Sequence, residues 1–314
     1  MDRSPIEHRT HRLADGREAV FFSDRGAAPV EHVVDARPLG ERSGHGQVRF
    51  DRLTGEWIAV AAHRQSRTYL PPADECPLCP SVDGRESEIP VEDFHVVAFE
   101  NRFPSLGPEL GELPSPEGAK GRVPGGAPSS VYGRCKVVVF TPEHDGSFAS
   151  LHFERAGTVV EAWAQRTEAL SRHGGHPPRV PVRESRRKNR RDPASSARVD
   201  LRVPVRGTDR RTTGRALAAH LDATGRPLMG ELLSDESDAG DRMVLTGDHF
   251  SAYVSYAARW PLEVHLVPHR QVPDLAALTS DERDELGVSY RDLVRRLDRL
   301  YSTPTPYIAA WHQT

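Results

Sequence analysis

Two cysteines separated by two residues, Cys76-Pro-Leu-Cys79, are the first feature of this sequence that could do chemistry. Thiolates at that spacing can share one tetrahedral zinc ion, each at about 2.3 Å. The competing reading is a pair of reduced core thiols, but the surrounding prolines favour a knuckle over a strand. A tetrahedral structural site needs two further ligands. His144, in Phe140-Thr-Pro-Glu-His144, sits just past a strand end and is the best third. No fourth ligand is evident, and Cys135, on the approach to that strand, reads as core packing. A second feature is the basic turn His63-Arg-Gln-Ser-Arg67, directly after an apolar run ending at Ala62. Arg64 and Arg67 there can clamp a phosphate, because guanidinium donors match phosphate oxygens in pairs. Standing alone, such a turn is more simply a solvated loop.

These residues need strands to hold them, and the first half of the chain supplies strand-like runs. Val48-Arg-Phe leads through the turn Leu53-Thr-Gly-Glu56 into Trp57-Ile-Ala-Val-Ala-Ala62. Val96-Val-Ala-Phe99 and Lys136-Val-Val-Val-Phe140 are short β-branched runs. Residues 107–130, rich in Gly, Pro and Ser, read as a long surface loop. A helix is expected over residues 153–170. Later, residues 250–256 alternate as a half-buried strand should, and residues 263–267 are the expected partner. Thr279 and Glu282 form a capping box opening a helix, on which Leu286, Tyr290, Leu293, Leu297 and Leu300 repeat at spacings of four and three. The order is strands, helix, a disturbed stretch, strands, helix. That predicts two α+β units with antiparallel sheets packed by helices, over residues 1–171 and 216–314.

Composition narrows the class. With 314 residues, 37% hydrophobic and 28% charged, the chain reads as globular rather than disordered. No apolar run is long enough to span a bilayer, and residues 1–8 show no secretory pattern. Three cysteines without an export signal point to the reducing cytoplasm. A net charge of −3 implies no polyanionic partner by itself. All but three of the basic residues are arginine, a bias that accompanies GC-rich coding DNA.

Taken in order, Arg49-Phe-Asp-Arg-Leu-Thr-Gly-Glu-Trp-Ile, His63-Arg-Gln-Ser-Arg67, Cys76-Pro-Leu-Cys79, Phe99-Glu-Asn-Arg-Phe-Pro-Ser-Leu106 and Phe140-Thr-Pro-Glu-His144 resemble the galactose-1-phosphate uridylyltransferases. Trp260-Pro-Leu-Glu263 and Tyr307-Ile-Ala-Ala-Trp-His312 resemble that family's later blocks. The resemblance covers about residues 45–170 and 216–312. It implies a duplicated histidine-triad fold, usually a homodimer. The implied reaction moves UMP between UDP-glucose and galactose 1-phosphate, giving UDP-galactose and glucose 1-phosphate, through a covalent uridylyl-histidine. By the same resemblance Cys76, Cys79 and His144 match zinc ligands, and Arg64, Arg67 and Asn101 match UDP-sugar contacts. Arg102 stands where some members have aspartate. Glu263 and His312 match ligands of a second, iron site, although a lone Glu263 is otherwise more simply a surface carboxylate.

The resemblance also implies a nucleophile in a His-Pro-His-Gly-Gln motif, between the first long helix and the strand near Phe250. There a neutral imidazole attacks the α-phosphorus, and the covalent intermediate splits one transfer into two. No such motif is present. His45-Gly-Gln47 mimics its tail but precedes the first strand block. Residues 172–215 occupy the expected place instead. They hold thirteen of the thirty-nine arginines, a net charge of +10, and no Phe, Tyr, Trp, Ile, Met or Cys. A disordered basic insert, a nucleic-acid-binding arm and a translation in the wrong frame compete to explain this. The genetic code favours the third. Codons for residues 180–185, read one base on, permit Phe-Pro-Phe-Glu-Asn, and residues 186–194 permit Arg-Gly-Glu-Lys-Ile-Gly-Val-Thr-Leu. Residues 194–198 permit His-His-Pro-His and then Gly, and residues 200–206 permit Ile-Tyr-Ala-Tyr-Pro-Tyr-Val. One triplet fails, since Val199 with Asp200 permits Leu, Ser or Trp where Gln is expected.

The sequence stops two residues after His312, whereas the family continues with a His-x-His pair, so an incomplete iron site is expected. The leading functional expectation is uridylyl transfer without membrane or nucleic-acid partners. A related nucleotidyltransferase or phosphorylase with another acceptor is the runner-up. A zinc-knuckle nucleic-acid binder is disfavoured, because base stacking needs aromatic side chains and the basic stretch has none.

Overall fold

The computed structural model describes residues 4–40, 47–51, 53, 56–60, 71–82, 84–104, 129–130, 134–172, 182–185, 198–202, 208–305 and 307–313. Of residues 47–51, 56–60, 129–130, 182–185, 198–202 and 208–215 it describes the backbone alone. The basic turn at 63–67 and nearly all of the expected loop at 107–130 lie outside the described residues.

The strands in chain order are β1 (His8–Arg12), β2 (Glu18–Phe22), β3 (Gln47–Asp51), β4 (Glu56–Val60), β5 (Val96–Glu100), β6 (Ser129–Ser130), β7 (Cys135–Val139), β8 (Val182–Ser185), β9 (Arg198–Arg202), β10 (Met243–Thr246), β11 (Phe250–Val254), β12 (Val264–Pro268) and β13 (Ile308–Trp311). The helices are α1 (Phe153–Ser171), α2 (Thr208–Thr224), α3 (Leu228–Ala239) and α4 (Ser280–Asp298). One sheet has seven strands in the order β1-β2-β5-β7-β9-β8-β13; β10-β11-β12 and β4-β3-β6 form two smaller ones. Every pairing between these strands is antiparallel. The class is the α+β expected from the sequence.

Strand alternation explains why the large sheet is covered on both sides. Val20 and Phe22, Val96 and Ala98, and Val138 face one core with α1 and α4. Their neighbours Ala19 and Phe21, Val97 and Phe99, and Val137 and Val139 face a second core. The second core is closed by Ile89, Phe94 and Leu78 from the segment between β4 and β5. In the first core, Trp163 of α1 stacks on Phe148 with centroids 5.7 Å apart, and Tyr290 of α4 lies 4.7 Å from Phe148. Trp311 of β13 closes the cluster at 5.8 Å from Trp163. The two long helices, read from separate halves of the sequence, therefore share one core.

Seven strands, β1, β2, β6, β8, β9, β10 and β13, escape the sequence reading. β1 is His-Arg-Thr-His-Arg, polar at every position, and it is recruited as an edge strand by β2 across a turn in which Gly16 has φ +76°. Strands β8 and β9 carry too few apolar residues to announce themselves, and β13, Ile-Ala-Ala-Trp, is apolar but only four residues long. Among the described residues, no helix is long and apolar enough to cross a membrane.

The α1–α4 contact is close enough to exclude side chains. A methyl at Gly287 would stand 2.8 and 2.9 Å from the backbone C and O of Ala156. Ala is the better helix former by about 1 kcal/mol, but overpacking against rigid backbone costs about 1–3 kcal/mol. Gly287→Ala is therefore expected to lower the melting temperature by a few degrees in calorimetry.

The start of α4 gives a pH dependence. The Thr279 hydroxyl accepts from the Glu282 N–H, and the Glu282 carboxylate accepts from the Thr279 N–H at 2.7 Å. Arg270 donates to the same carboxylate at 2.9 and 2.7 Å. The Arg270 hydrogen bonds, helped by those from Thr279 and opposed by burial, pull the Glu282 pKa from 4.5 down to about 2. Its folded value lies below its unfolded one, so the stabilisation is present above about pH 4.5 and is lost as pH falls towards 2. Glu282→Gln should melt earlier than the parent at pH 7, and the gap should close on acidification through that window. A gap that is constant with pH would rule out this ion pair as its source.

Candidate metal centre

The knuckle begins where a single 3-10 turn, Ala73–Glu75, ends at Cys76. The Cys79 N–H donates to the Cys76 carbonyl at 3.4 Å, so the chain reverses between the two thiols. Both cysteines are buried. His144 arrives from the turn after β7, 65 residues away, and its Nδ1 lies 3.3 Å from Cys79 Sγ. One ligand atom from each of Cys76, Cys79 and His144 lies within 4.8 Å of the others. Gly146 makes the His144 turn tight, since a Cβ there would meet Thr141 Cγ2 at 2.4 Å.

The donor set fits zinc. Metal–ligand bonds of about 2.0–2.3 Å at tetrahedral angles put neighbouring donors roughly 3.5 Å apart, close to what the Cys79–His144 pair shows. Among the described residues, no fourth Cys, His, Asp or Glu joins the group, and Cys135 stays buried on β7 outside it.

The knuckle is held mostly by residues that no motif announced. Arg85 donates to the carbonyls of Ala73 at 2.9 Å, Cys76 at 3.3 Å and Pro80 at 2.7 Å, tying three points of the loop to one guanidinium. The Ser87 hydroxyl donates to the Cys79 carbonyl at 2.6 Å. Glu88 donates its N–H to the Pro77 carbonyl at 2.9 Å. Its carboxylate takes Arg17 at 2.5 Å and Arg37 at 3.1 Å, with Arg102 at 3.7 Å. Arg17 is fully buried and also donates to Asp15 and to the Glu100 carbonyl on β5. Arg17, Arg37, Arg85 and Glu88 left only their charge as a signal in the sequence, and charge alone does not distinguish a hub from a solvated face.

Asn101 lies at the end of β5, where its N–H donates to the Cys135 carbonyl at 2.8 Å and its Oδ1 accepts from the Phe103 N–H at 2.9 Å. Arg64 and Arg67 are outside the described residues. Glu263 accepts from the Arg259 N–H at 2.7 Å and lies 3.4 Å from His265 Nε2. The Arg259 hydrogen bond, followed by that from His265 and opposed by burial, lowers its pKa. His312 follows β13. Among the described residues, neither Glu263 nor His312 joins a group of three metal-capable side chains.

Comparison with known proteins gives this knuckle a context. The model of the galactose-1-phosphate uridyl transferase N-terminal domain matches residues 39–184, and that of the C-terminal domain matches residues 214–314. The galactose-1-phosphate uridylyltransferase of Streptomyces lividans is 42% identical over 96% of this chain and 79% of its own length. The chain belongs to the galactose-1-phosphate uridylyltransferase family. More distant members are those of Thermotoga maritima, 29% identical over 85% of this chain and 80% of its own, and Rattus norvegicus, 28% over 93% and 79%. Among solved structures, a uridylyltransferase aligns with a TM-score of 0.70 at 22% identity, covering 85% of this chain and 80% of its own. An ADP-glucose phosphorylase from Arabidopsis thaliana with bound ADP-glucose aligns at 0.59 and 16% identity, over 86% and 82%. At these identities both show the shared fold. The two family models together leave residues 185–213 unmatched.

A cobalt titration checks the centre. Cobalt(II) added to the full chain should give a thiolate-to-metal absorption band, lost in Cys76→Ser and Cys79→Ser and shifted in His144→Ala. Cys135→Ser should leave the band in place, and its loss there would mean that the wrong thiols have been assigned.

Proposed function

We propose that this protein has the fold and substrate sites of an enzyme that moves UMP between UDP-glucose and galactose 1-phosphate, yielding UDP-galactose and glucose 1-phosphate, and that the chain as it stands lacks the imidazole for the transfer itself. The observation that carries the reading is the 42% identity to a galactose-1-phosphate uridylyltransferase across nearly the whole chain, with Cys76, Cys79 and His144 gathered at one point. Arg64 and Arg67 supply paired donors to the diphosphate, whose charge a guanidinium matches without proton exchange. Asn101 contributes at the end of β5, where its own side chain fixes the turn to Phe103. Zinc held by Cys76, Cys79 and His144 supplies structure, keeping the knuckle folded against the sheet. Glu263 and His312 are assigned to an iron site, and the working form is a homodimer in the cytoplasm.

The transfer needs an imidazole that accepts the uridylyl group and then passes it on. No His-Pro-His-Gly motif occurs in this chain. It is therefore expected to bind UDP-glucose without turning it over. Calorimetric titration of the full chain should show UDP-glucose binding, weakened at least about tenfold by Arg67→Ala. Isotope exchange between glucose 1-phosphate and UDP-glucose, with no galactose 1-phosphate present, should be absent here and present once the histidine motif is supplied. Tighter binding of ADP-glucose than of UDP-glucose would move the assignment to the phosphorylase branch of this fold. Measurable exchange by the chain as it stands would overturn the requirement for that motif.

A further inference from the structure

β9 occupies a place its residues do not suit. It lies between β7 and β8 in the interior of the seven-stranded sheet. Its neighbour β7 is buried at every position, and the register sets Arg198 opposite Val139, Asp200 opposite Val137 and Arg202 opposite Cys135. Val137 and Val139 belong to the second apolar core. An interior strand beside a strand buried on both faces is expected to be a near-continuous apolar run. Arg198-Val-Asp-Leu-Arg202 puts three charges in five residues at that place, and an isolated charge taken from water is costly. Backbone topology asks for a core strand where the residues describe a surface.

We infer that the fold-forming reading of codons 180–206 is displaced by one base from the one this chain carries, and that the displaced reading writes the β8–β9 strand pair and the missing histidines together. Four observations meet here. At β9 the displaced triplets permit Gly, then Leu, Ser or Trp, then Ile, Tyr and Ala, with no charge required at any position. At β8 they permit Phe first in place of Val182. The four triplets directly before β9 permit His-His-Pro-His. The family models, which describe residues on either side, fall silent over 185–213.

The composition of the stretch has the same origin. Seven types are absent from 172–215: Phe, Tyr, Trp, Cys, Ile, Met and Gln. The codons of all but Gln begin with T or A. In a GC-rich gene the third codon base is biased to G or C, and a one-base displacement moves that base into first place. The chain as it stands is then poor in residues with T-first or A-first codons and fills with arginine, whose CGN codons begin with C. The +10 charge is therefore a by-product of coding bias, and no anionic partner is implied by it. This inference rests on the uridylyltransferase reading only for the role of the histidines; the strand argument stands without it.

Two measurements test it. The first is the gene sequence across codons 172–215. The third bases are expected to spell the Phe, Ile, Tyr and His triplets, with a base gained relative to the fold-forming frame before about codon 180 and one lost after about codon 206. Third bases that spell stop, Ser or Cys triplets there would overturn the inference. The second compares the full chain with a full-length version carrying the displaced reading over 180–206. The displaced version should melt at a higher temperature and hold zinc near one per chain by mass spectrometry, above the parent in both. Equal or lower values in both would overturn it. A displaced version that melts cooperatively with its zinc yet shows no uridylyl exchange would count against the proposed function and leave the reading frame standing.

Discussion

Strands β2, β5 and β7 of the large sheet are buried on both faces, and most of the rest follows from that. A sheet in this condition needs apolar residues at successive positions, not alternate ones. β2, β5 and β7 meet the demand with Glu-Ala-Val-Phe-Phe, Val-Val-Ala-Phe-Glu and Cys-Lys-Val-Val-Val, each polar at a strand end. The polar residues so trapped are paired. Lys136 on β7 lies 3.4 Å from Glu18 and 3.6 Å from Glu100, and Arg166 of α1 reaches Glu18 at 2.5 Å. Burial lowers the Lys136 pKa, while the two glutamates oppose that shift.

The two faces are covered by different means, and function is divided accordingly. The helix face is closed by aromatic packing and by backbone-to-backbone approach at Gly287. The other face is closed by irregular chain, which has no ladder of its own to satisfy its carbonyls. Arg85 and Ser87 do this for the knuckle, and the Glu88–Arg17 pair anchors it to the sheet. The two candidate thiolate ligands thus sit on a loop whose carbonyls are individually bonded, which gives it some of the order of a regular element.

Much of this was legible in the residues. The capping box at Thr279 and Glu282 forms as expected, and α4 buries Leu286, Tyr290 and Leu293 from its apolar stripe. Leu300 lies beyond the helix and is exposed, because the stripe outlasts the hydrogen-bonded turns. The helix expected at 153–170 and the strand at 96–99 differ from α1 and β5 by a residue at the end. Cys76, Cys79 and His144 converge although 65 residues separate Cys79 from His144, since motif order carried the information that spacing did not. The rest was hidden for physical reasons. β1 is polar because it is an edge, and its pairing comes from β2 rather than from its own composition. Arg85, Ser87 and Glu88 act through backbone carbonyls, and a carbonyl has no sequence signature.

The span between the ligands has a thermodynamic side. A metal ion joining Cys79 to His144 closes a chain segment of 65 residues, much as a disulfide would. For a cross-link of that length the loss of denatured-chain freedom corresponds to about 4 kcal/mol. That gain exists only while the unfolded chain keeps the ion, and a chain that releases it is instead governed by metal concentration through mass action. A fold that held a metal at this candidate group would owe part of its stability to its solution, through how much free metal surrounds it.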